Sequence, residues 1–374
     1  MIIDAIHVLG WFEGQEGYNV HTRNIADALA RRITVHRTEL PRRAGEVVTV
    51  ASEVAKYANG DSHANLLISW GEKANYLVDL PGLKIAYVVW ETTKLPDSWL
   101  EPLGAADRYW VPCAWCREVL VDNGFAPETV DIVPHGVDPR IFNQGAPREP
   151  VLEALAGFKF LNVGVWRHRK GTADLLKAFD AEFAGDSGVR LVLNCDDPNR
   201  PDFDLRGELL GLNPSCLDQL TFLQGNIRNE VMSRIFTACD VAVFPTRSDP
   251  WGLPISEAMA CGLPVIATHF AGPADYMNSE TGYPLAWEPA SCPWMPVEMV
   301  DGDYGVWAEP DIGELRSLMR KVYENQAEAR RLGERAAEHM RSNWTWDHAV
   351  DKALLALEAV DDASPDAHND ILGL

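Results

Sequence analysis

Short apolar runs separated by helical stretches recur along this chain, and the pattern runs its course twice. Ile2–Leu9, Asn65–Trp70, Leu83–Trp90, Arg108–Val111 and Val130–Pro134 form the first series. After a turn-rich stretch from Gly136 to Pro150, Phe158–Val163, Arg190–Asn194, Leu220–Leu223, Val241–Phe244 and Pro264–Thr268 form the second. Strands that are apolar from end to end and alternate with helices are buried on both faces, which means a parallel sheet covered by helices. Two series predict an α/β chain with two Rossmann-like, doubly wound parallel-sheet domains, 1–150 and 151–342, with the boundary inside 137–157. From Asp311 the apolar spacing becomes helical, through Leu315, Leu318, Met319 and Val322. The segment 343–374 reads as a final helix and a frayed polar tail.

Composition narrows the function classes. With 33 Lys and Arg against 55 Asp and Glu, the net charge is −22. Such a surface repels a polyanion, so no nucleic-acid partner is expected. The seven cysteines are odd in number and sit mostly in apolar segments. That is no disulfide framework, and a reducing compartment follows. The segment Met1–Leu9 carries Asp4 and lacks a basic leader region, so it reads as a first strand. Without an apolar run long enough to span a bilayer, the expected location is cytoplasmic.

Doubly wound sheets hold ligands beyond the carboxyl ends of their strands, so the loops after strands carry the candidates. The most informative is Phe244–Thr268, where Asp249 and Glu257 flank a Gly/Pro turn and Glu257 falls in the first turn of a helix. Carboxylates accept paired hydroxyls, and the free N–H groups that open a helix hold anionic or sugar oxygens. Together they suit a sugar attached to a nucleotide. Asp249 would take sugar hydroxyls, the backbone of Trp251, Gly252 and Leu253 sugar or phosphate, and Glu257 the ribose diol. The loop Gly10–His21 feeds a helix as a phosphate cradle does, or as a plain tight turn does. Its spacing is not G-x-G-x-x-G, which disfavours a dinucleotide dehydrogenase.

The Phe244–Thr268 stretch resembles the E-x7-E motif of the retaining family 4 (group 1) glycosyltransferases of GT-B fold, with Asp249 in place of the first Glu and Trp251 in place of a Phe. Gly164-Val-Trp-Arg167-His-Arg169-Lys170-Gly171 is similar to the family's glycine strand end with its Arg and Lys-Gly. By that resemblance Arg167 and Lys170 hold the donor diphosphate, with Arg169 competing for the place of Arg167. Positioned cations would stabilise the charge that gathers on the leaving group. Leu223–Ile227 resembles the loop around the nucleoside base, giving Ile227 as a donor residue beside Gly164. Ala271–Asp275 resembles a G-G-x-x-E turn with Ala271 for the first glycine. Glu16-Gly17-Tyr-Asn-Val-His21 is similar to a G-G-x-x-x-H loop, from which Gly17 is carried over as a donor residue. His135 lies in a P-H-G-V-D segment, either at the reacting groups or bonded within its turn. Glu91 follows an expected strand at a place where many members keep a polar residue facing the reacting sugar; a surface carboxylate is the alternative.

The resemblance implies two domains facing across a cleft and a C-terminal helix crossing back to the N-terminal domain. It also implies retaining, metal-independent hexosyl transfer from a UDP- or GDP-sugar co-substrate, without a cofactor. The acceptor hydroxyl would belong to a saccharide, a lipid-linked or a small molecule, in surface polysaccharide or glycoconjugate synthesis. A non-catalytic sugar-nucleotide binder and a GT-B epimerase or phosphorylase are the alternatives. The basic cluster Arg31–Arg43 is a solvated helix end or, as in some members, a contact with anionic lipid or a phosphate-bearing acceptor, the lipid contact giving peripheral attachment at the inner face of a membrane. Cys113 and Cys116 read as packing, and the acidic pairs Asp196-Asp197 and Asp301/Asp303 as no metal site. The loops that would read the acceptor, Gly10–Gly17, Arg42–Lys56 and Trp90–Trp99, follow no recognisable motif.

Overall fold

In the computed structural model, which describes residues 3–41, 54, 56, 63–197, 202–225, 227–292 and 303–362, contacts divide the chain into two units, 1–136 with 346–374 and 137–345. Arg42 and Arg43 of the basic cluster, most of the Arg42–Lys56 loop, Asp301 and the tail from 363 lie outside the described residues.

Unit 1 is built on β1 (Ala5–Gly10), β2 (Thr34–Glu39), β3 (His63–Ile68), β4 (Leu83–Tyr87), β5 (Arg108–Val111) and β6 (Val130–Ile132). These pair in parallel in the order β2-β1-β3-β4-β5-β6. The central strand β3 is buried along its whole length, as its apolar sequence requires. By contrast β2 is an edge strand in which only Thr38 is buried. Its polar sequence Thr-Val-His-Arg-Thr-Glu gives no apolar run, which is why the sequence pattern missed it. The helix Gly17–Leu29 follows β1 and buries Ile25, Ala26 and Leu29 against the sheet. The last helix, Trp346–Asp362, packs on it, with Asp347 and Asp351 paired to Arg31 and Arg32.

Unit 2 carries β7 (Phe158–Val163), β8 (Val189–Asn194), β9 (Leu220–Phe222), β10 (Val241–Phe244), β11 (Val265–Thr268) and β12 (Tyr283–Leu285). They pair in parallel in the order β12-β11-β10-β7-β8-β9. A small antiparallel hairpin, β13 (Trp287–Ser291) with β14 (Val306–Pro310), was not anticipated from the apolar runs. Cores lie on both faces of the sheet, one around Phe236, Trp251 and Met259, the other around Phe160, Phe179 and Phe183. Residues 137–150, assigned above to the first domain, pack here instead. Phe142 stands 6.2 Å from the ring of Phe236, and Val137 N donates to Trp344 O at 2.9 Å.

Each sheet has one place where the chain reverses its direction of travel across the strands. In unit 1 the connection from β1 leads to β2 on one side, and the chain returns to β3 on the other. In unit 2 the strands β8 and β9 lie on one side of β7, and β10 to β12 on the other. The loops after β1 and β3, and those after β7 and β10, therefore part from one another and leave room for a ligand.

Candidate functional site

The loops at the unit 2 switch point, Gly164–Gly171 after β7 and Pro245–Gly252 after β10, pass in close contact. Gly171 adopts φ +68°, and a Cβ there would stand 2.0 Å from Pro245 O, so only glycine allows the approach. A short 3-10 turn, His168–Lys170, then directs two cations onto one carboxylate. Arg169 Nη1 donates to Asp249 Oδ1 at 3.0 Å and to Ser248 O at 2.6 Å, and Lys170 Nζ donates to Asp249 Oδ1 at 2.5 Å. Burial pushes the Asp249 carboxyl up, but Lys170 and Arg169 more than offset it and hold the group below the ordinary carboxylate range. The side chain of Lys170 runs over Gly164.

Arg247, inside the Phe244–Thr268 stretch but without a role assigned from sequence, fixes this geometry. Its guanidinium is buried, donates to His168 O at 2.7 Å and pairs with Asp174 at 2.9 Å and with Glu309. Its backbone N–H donates to Arg169 O at 2.7 Å. A single arginine between Thr246 and Ser248 carries no sequence signal of burial. Arg167 takes a different direction from its neighbours. Its Nε and Nη2 reach Asp197 at 2.7 and 3.0 Å, and the Asp197 side chain is fully buried. Arg169 is thus the arginine that accompanies Lys170.

Gly252, at φ +79°, ends the second loop and opens the helix Leu253–Ala260. Glu257 lies on that helix, buried, with no hydrogen bond or ion pair to its carboxyl among the described residues. Burial pushes its pKa up to about 8. The Trp251 ring is core, 4.9 Å from Tyr276 and 5.4 Å from Trp344. Trp251 can therefore offer a ligand its backbone only, as Leu253 does from the helix start. Gly272 packs the same loop, since a Cβ would meet Trp251 Cα at 2.4 Å, while Ala271 holds φ +53°, a conformation that suits glycine. Ile227 lies between β9 and the helix Asn229–Ala238, partly buried against the core.

The remaining candidates belong to unit 1. Gly17 is the first residue of its helix, where an added Cβ would meet nothing within 4 Å. Glu91, after β4, adds its charge to the burial that raises the pKa of Tyr18. His135 is buried and stacks on His21 at 4.1 Å, with Trp346 and Tyr87 alongside at 5.9 and 5.7 Å. Burial lowers the pKa of His135 to about 3 and that of His21 well below its ordinary value, so both imidazoles are neutral. His21 ends the G-G-x-x-x-H loop, and its stacking on His135 is visible only in the fold. Cys113 and Cys116 are buried free thiols. Among the described residues no group of three His, Cys, Asp or Glu side chains is placed to hold a metal ion, and no helix is long and apolar enough to cross a membrane.

Residues 157–292 match the family model described as glycosyl transferases group 1. The chain is 23% identical over 251 residues to an MMP alpha-(1->4)-mannosyltransferase of Mycolicibacterium hassiacum, covering 66% of this chain and 53% of that one. It is 30% identical over 241 residues to a D-inositol 3-phosphate glycosyltransferase of Mycolicibacterium smegmatis, covering 61% and 46%. The chain spans about half the length of these relatives. Among solved structures, sucrose-phosphate synthase of Thermosynechococcus elongatus superposes with a TM-score of 0.72 at 19% identity, over 96% of this chain and 100% of that one. HepE of Anabaena in complex with UDP-glucose gives 0.69 at 14% identity, over 96% and 99%. These likenesses show the fold, which is GT-B.

Proposed function

We propose that this chain, which carries a group 1 glycosyltransferase domain over residues 157–292, moves a sugar from a nucleoside diphosphate to an acceptor hydroxyl with retention at the anomeric carbon. One observation carries the proposal. Two cations from the loop after β7 converge on a carboxylate from the loop after β10, at the switch point of a doubly wound sheet. In the free protein Asp249 and the cations neutralise one another. A bound donor would separate their tasks, its diphosphate taking Arg169 and Lys170 and its sugar hydroxyls taking Asp249. The buried carboxyl of Glu257 then meets the ribose diol, and the N–H groups at Gly252 and Leu253 meet sugar or phosphate oxygens. Gly164 and Ile227 are proposed to line the same donor, and Gly17 to offer its backbone to a ligand oxygen in unit 1, with no cofactor and no metal ion.

In the reaction the bond from the anomeric carbon to the diphosphate breaks and a bond to the acceptor oxygen forms on the same face. The acceptor proton passes to the departing phosphate. No protein nucleophile is needed, so catalysis is positioning together with electrostatic stabilisation of the leaving group. Relatives named mannosyltransferase and D-inositol 3-phosphate glycosyltransferase, and the UDP-glucose complex of HepE, support a nucleotide sugar as donor, proposed to be a UDP- or GDP-sugar. His135, neutral and stacked, is proposed to shape the unit 1 site without exchanging a proton near neutral pH, and Glu91 to orient the acceptor. Contact with an anionic membrane through Arg31, Arg32 and Arg37 would have to compete with Asp347, Asp351 and Asp27, which already pair with them at 2.5, 2.8 and 2.6 Å.

The test is donor hydrolysis and transfer with UDP-glucose and GDP-mannose, read by chromatography of the released nucleotide and by NMR of the product anomer. Release of nucleoside diphosphate with an α-linked product from an α-linked donor is expected. An inverted product would remove the retaining mechanism, and sugar release that depends on inorganic phosphate would indicate a phosphorylase.

A further inference from the structure

The unit 1 switch point has side chains of a different kind. The last residues of β1 and β3, Gly10 and Ile68, are register partners on neighbouring strands. The next residues, Trp11 on one side and Ser69 and Trp70 on the other, therefore leave the sheet side by side. The two indoles meet at 5.5 Å with their planes at 71°, and Tyr18 closes on Trp11 at 6.0 Å. Trp70 is 36% exposed, the one aromatic side chain of the exposed class among the described residues. The turn beneath it is fixed, since Gly71 lies so close to the Trp99 ring that a Cβ would stand 2.5 Å from it.

Among the described residues, two polar atoms at this place have no hydrogen-bond partner. Ser69 is 3% exposed and its Oγ has no partner, and the buried Nε1 of Trp11 has none either. Buried polar groups left unsatisfied in a folded protein call for a specific explanation, of which a missing ligand is one. Among the described residues the surroundings are not made for an anion. Arg23, on the helix that follows the β1 loop, donates to the carbonyls of Phe12 and Gly14 at 2.5 and 2.6 Å, and Lys73 pairs with Glu72 at 3.0 Å. An exposed indole beside an unpaired hydroxyl and an unpaired indole N–H complements a ring with an apolar C–H face and a hydroxyl edge.

We infer that Trp11, Ser69 and Trp70 form the acceptor subsite and receive an uncharged pyranose ring, stacked on Trp70 with its hydroxyls toward Ser69 Oγ and Trp11 Nε1. The inference deepens the glycosyl-transfer reading and rests on it for the word acceptor, while the binding itself can be measured without a donor.

The experiment is saturation-transfer NMR on the full chain with methyl α-D-mannopyranoside, methyl α-D-glucopyranoside and D-inositol 3-phosphate as probes. Saturation is expected at the ring C–H protons of at least one glycoside, to be lost in Trp70→Ala and kept in Trp70→Phe. In the transfer assay Trp70→Ala should raise the KM for that glycoside about tenfold, the scale of one lost aromatic contact, with acceptor-independent donor hydrolysis unchanged. Ser69→Ala should raise it a smaller amount in the same direction. Equal saturation in wild type and Trp70→Ala, or binding of inositol phosphate where both glycosides fail, would overturn the subsite. Glycoside saturation with no melting-point shift from UDP or GDP would instead overturn the donor reading and leave the saccharide subsite in place.

Discussion

The two switch points of this molecule occupy equivalent places in two parallel sheets and are furnished in opposite ways. In unit 2 three charged side chains, Arg169, Lys170 and Asp249, interlock within 3.0 Å and are pinned from behind by buried Arg247. In unit 1 the corresponding place holds Trp11, Trp70 and an unpaired serine hydroxyl, with neutral imidazoles stacked nearby. The difference is chemical. A diphosphate needs positive charge held where water does not screen it, whereas an uncharged ring needs an apolar face and a few hydroxyl-sized partners. On the proposed reading, one fold element used twice serves two ligands of unlike polarity.

The sharpest way to break this comparison is to separate the two neighbouring arginines. Arg167→Ala removes the guanidinium that the buried Asp197 side chain accepts from, so a loss of about 1.5 to 3 kcal/mol in stability, the scale of hydrogen bonds to a charged group, is expected from denaturant unfolding. Arg169→Ala should instead reduce turnover and move the unfolding midpoint less. Loss of turnover in Arg167→Ala with its midpoint unchanged would return Arg167 to the diphosphate. For Lys170→Ala, turnover should fall about 10²- to 10³-fold, the scale of one lost transition-state donor, with the circular-dichroism spectrum kept. Wild-type turnover in that variant would remove the electrostatic account of unit 2.

Glycines sharpen the contrast at smaller scale. Gly171→Ala forces a side chain to φ +68° and into Pro245 O, and should cost about 1 to 3 kcal/mol or more by thermal unfolding. Gly17→Ala meets open space at the start of its helix, so stability should change by no more than about 1 kcal/mol. A drop in donor affinity in Gly17→Ala at unchanged stability would support the close approach of its backbone to a ligand, and an unchanged affinity would remove Gly17 from the donor site.

The pH dependence distinguishes the two carboxylates of the motif. Glu257 has its pKa raised to about 8 by burial, so its protonated form is favoured in the folded state. Its contribution is fully present below the ordinary glutamate range and is lost as pH rises through about 8. Asp249 is held low by Lys170 and Arg169, so its contribution is present above the ordinary aspartate range and is lost as pH falls below it. Melting curves from pH 5 to 9 should therefore show a decline that Glu257→Gln flattens. An identical decline in that variant would mean that Glu257 is not the titrating group.

What the sequence reveals divides along the same line. The parallel sheets were legible because buried strands are apolar from end to end, and the unit 2 loops because Asp249, Gly252 and Glu257 are close in sequence. The division of labour between Arg167 and Arg169 was not, since a three-residue turn decides which way each side chain points. Trp251 enters the sequence reading through its backbone, and that its ring is core shows only in the fold. The edge strand β2 was invisible because one of its faces never needed to be apolar. In unit 1 the informative pairs are Trp11 with Trp70 and His21 with His135, residues brought together only by the strand order β1-β3 and by the path of the chain after β6. No local spacing encodes such pairs.

The most direct test of the unit 2 account is the melting temperature of wild type and Lys170→Ala, titrated with UDP and with GDP. A ligand that binds only the folded protein raises the melting temperature by an amount that grows with the logarithm of its concentration relative to its dissociation constant. A rise with one of the two nucleotides in wild type, and its loss or strong reduction in Lys170→Ala, is predicted. No rise with either at millimolar concentration, or an equal rise in both proteins, would contradict the placement of the donor diphosphate at this switch point.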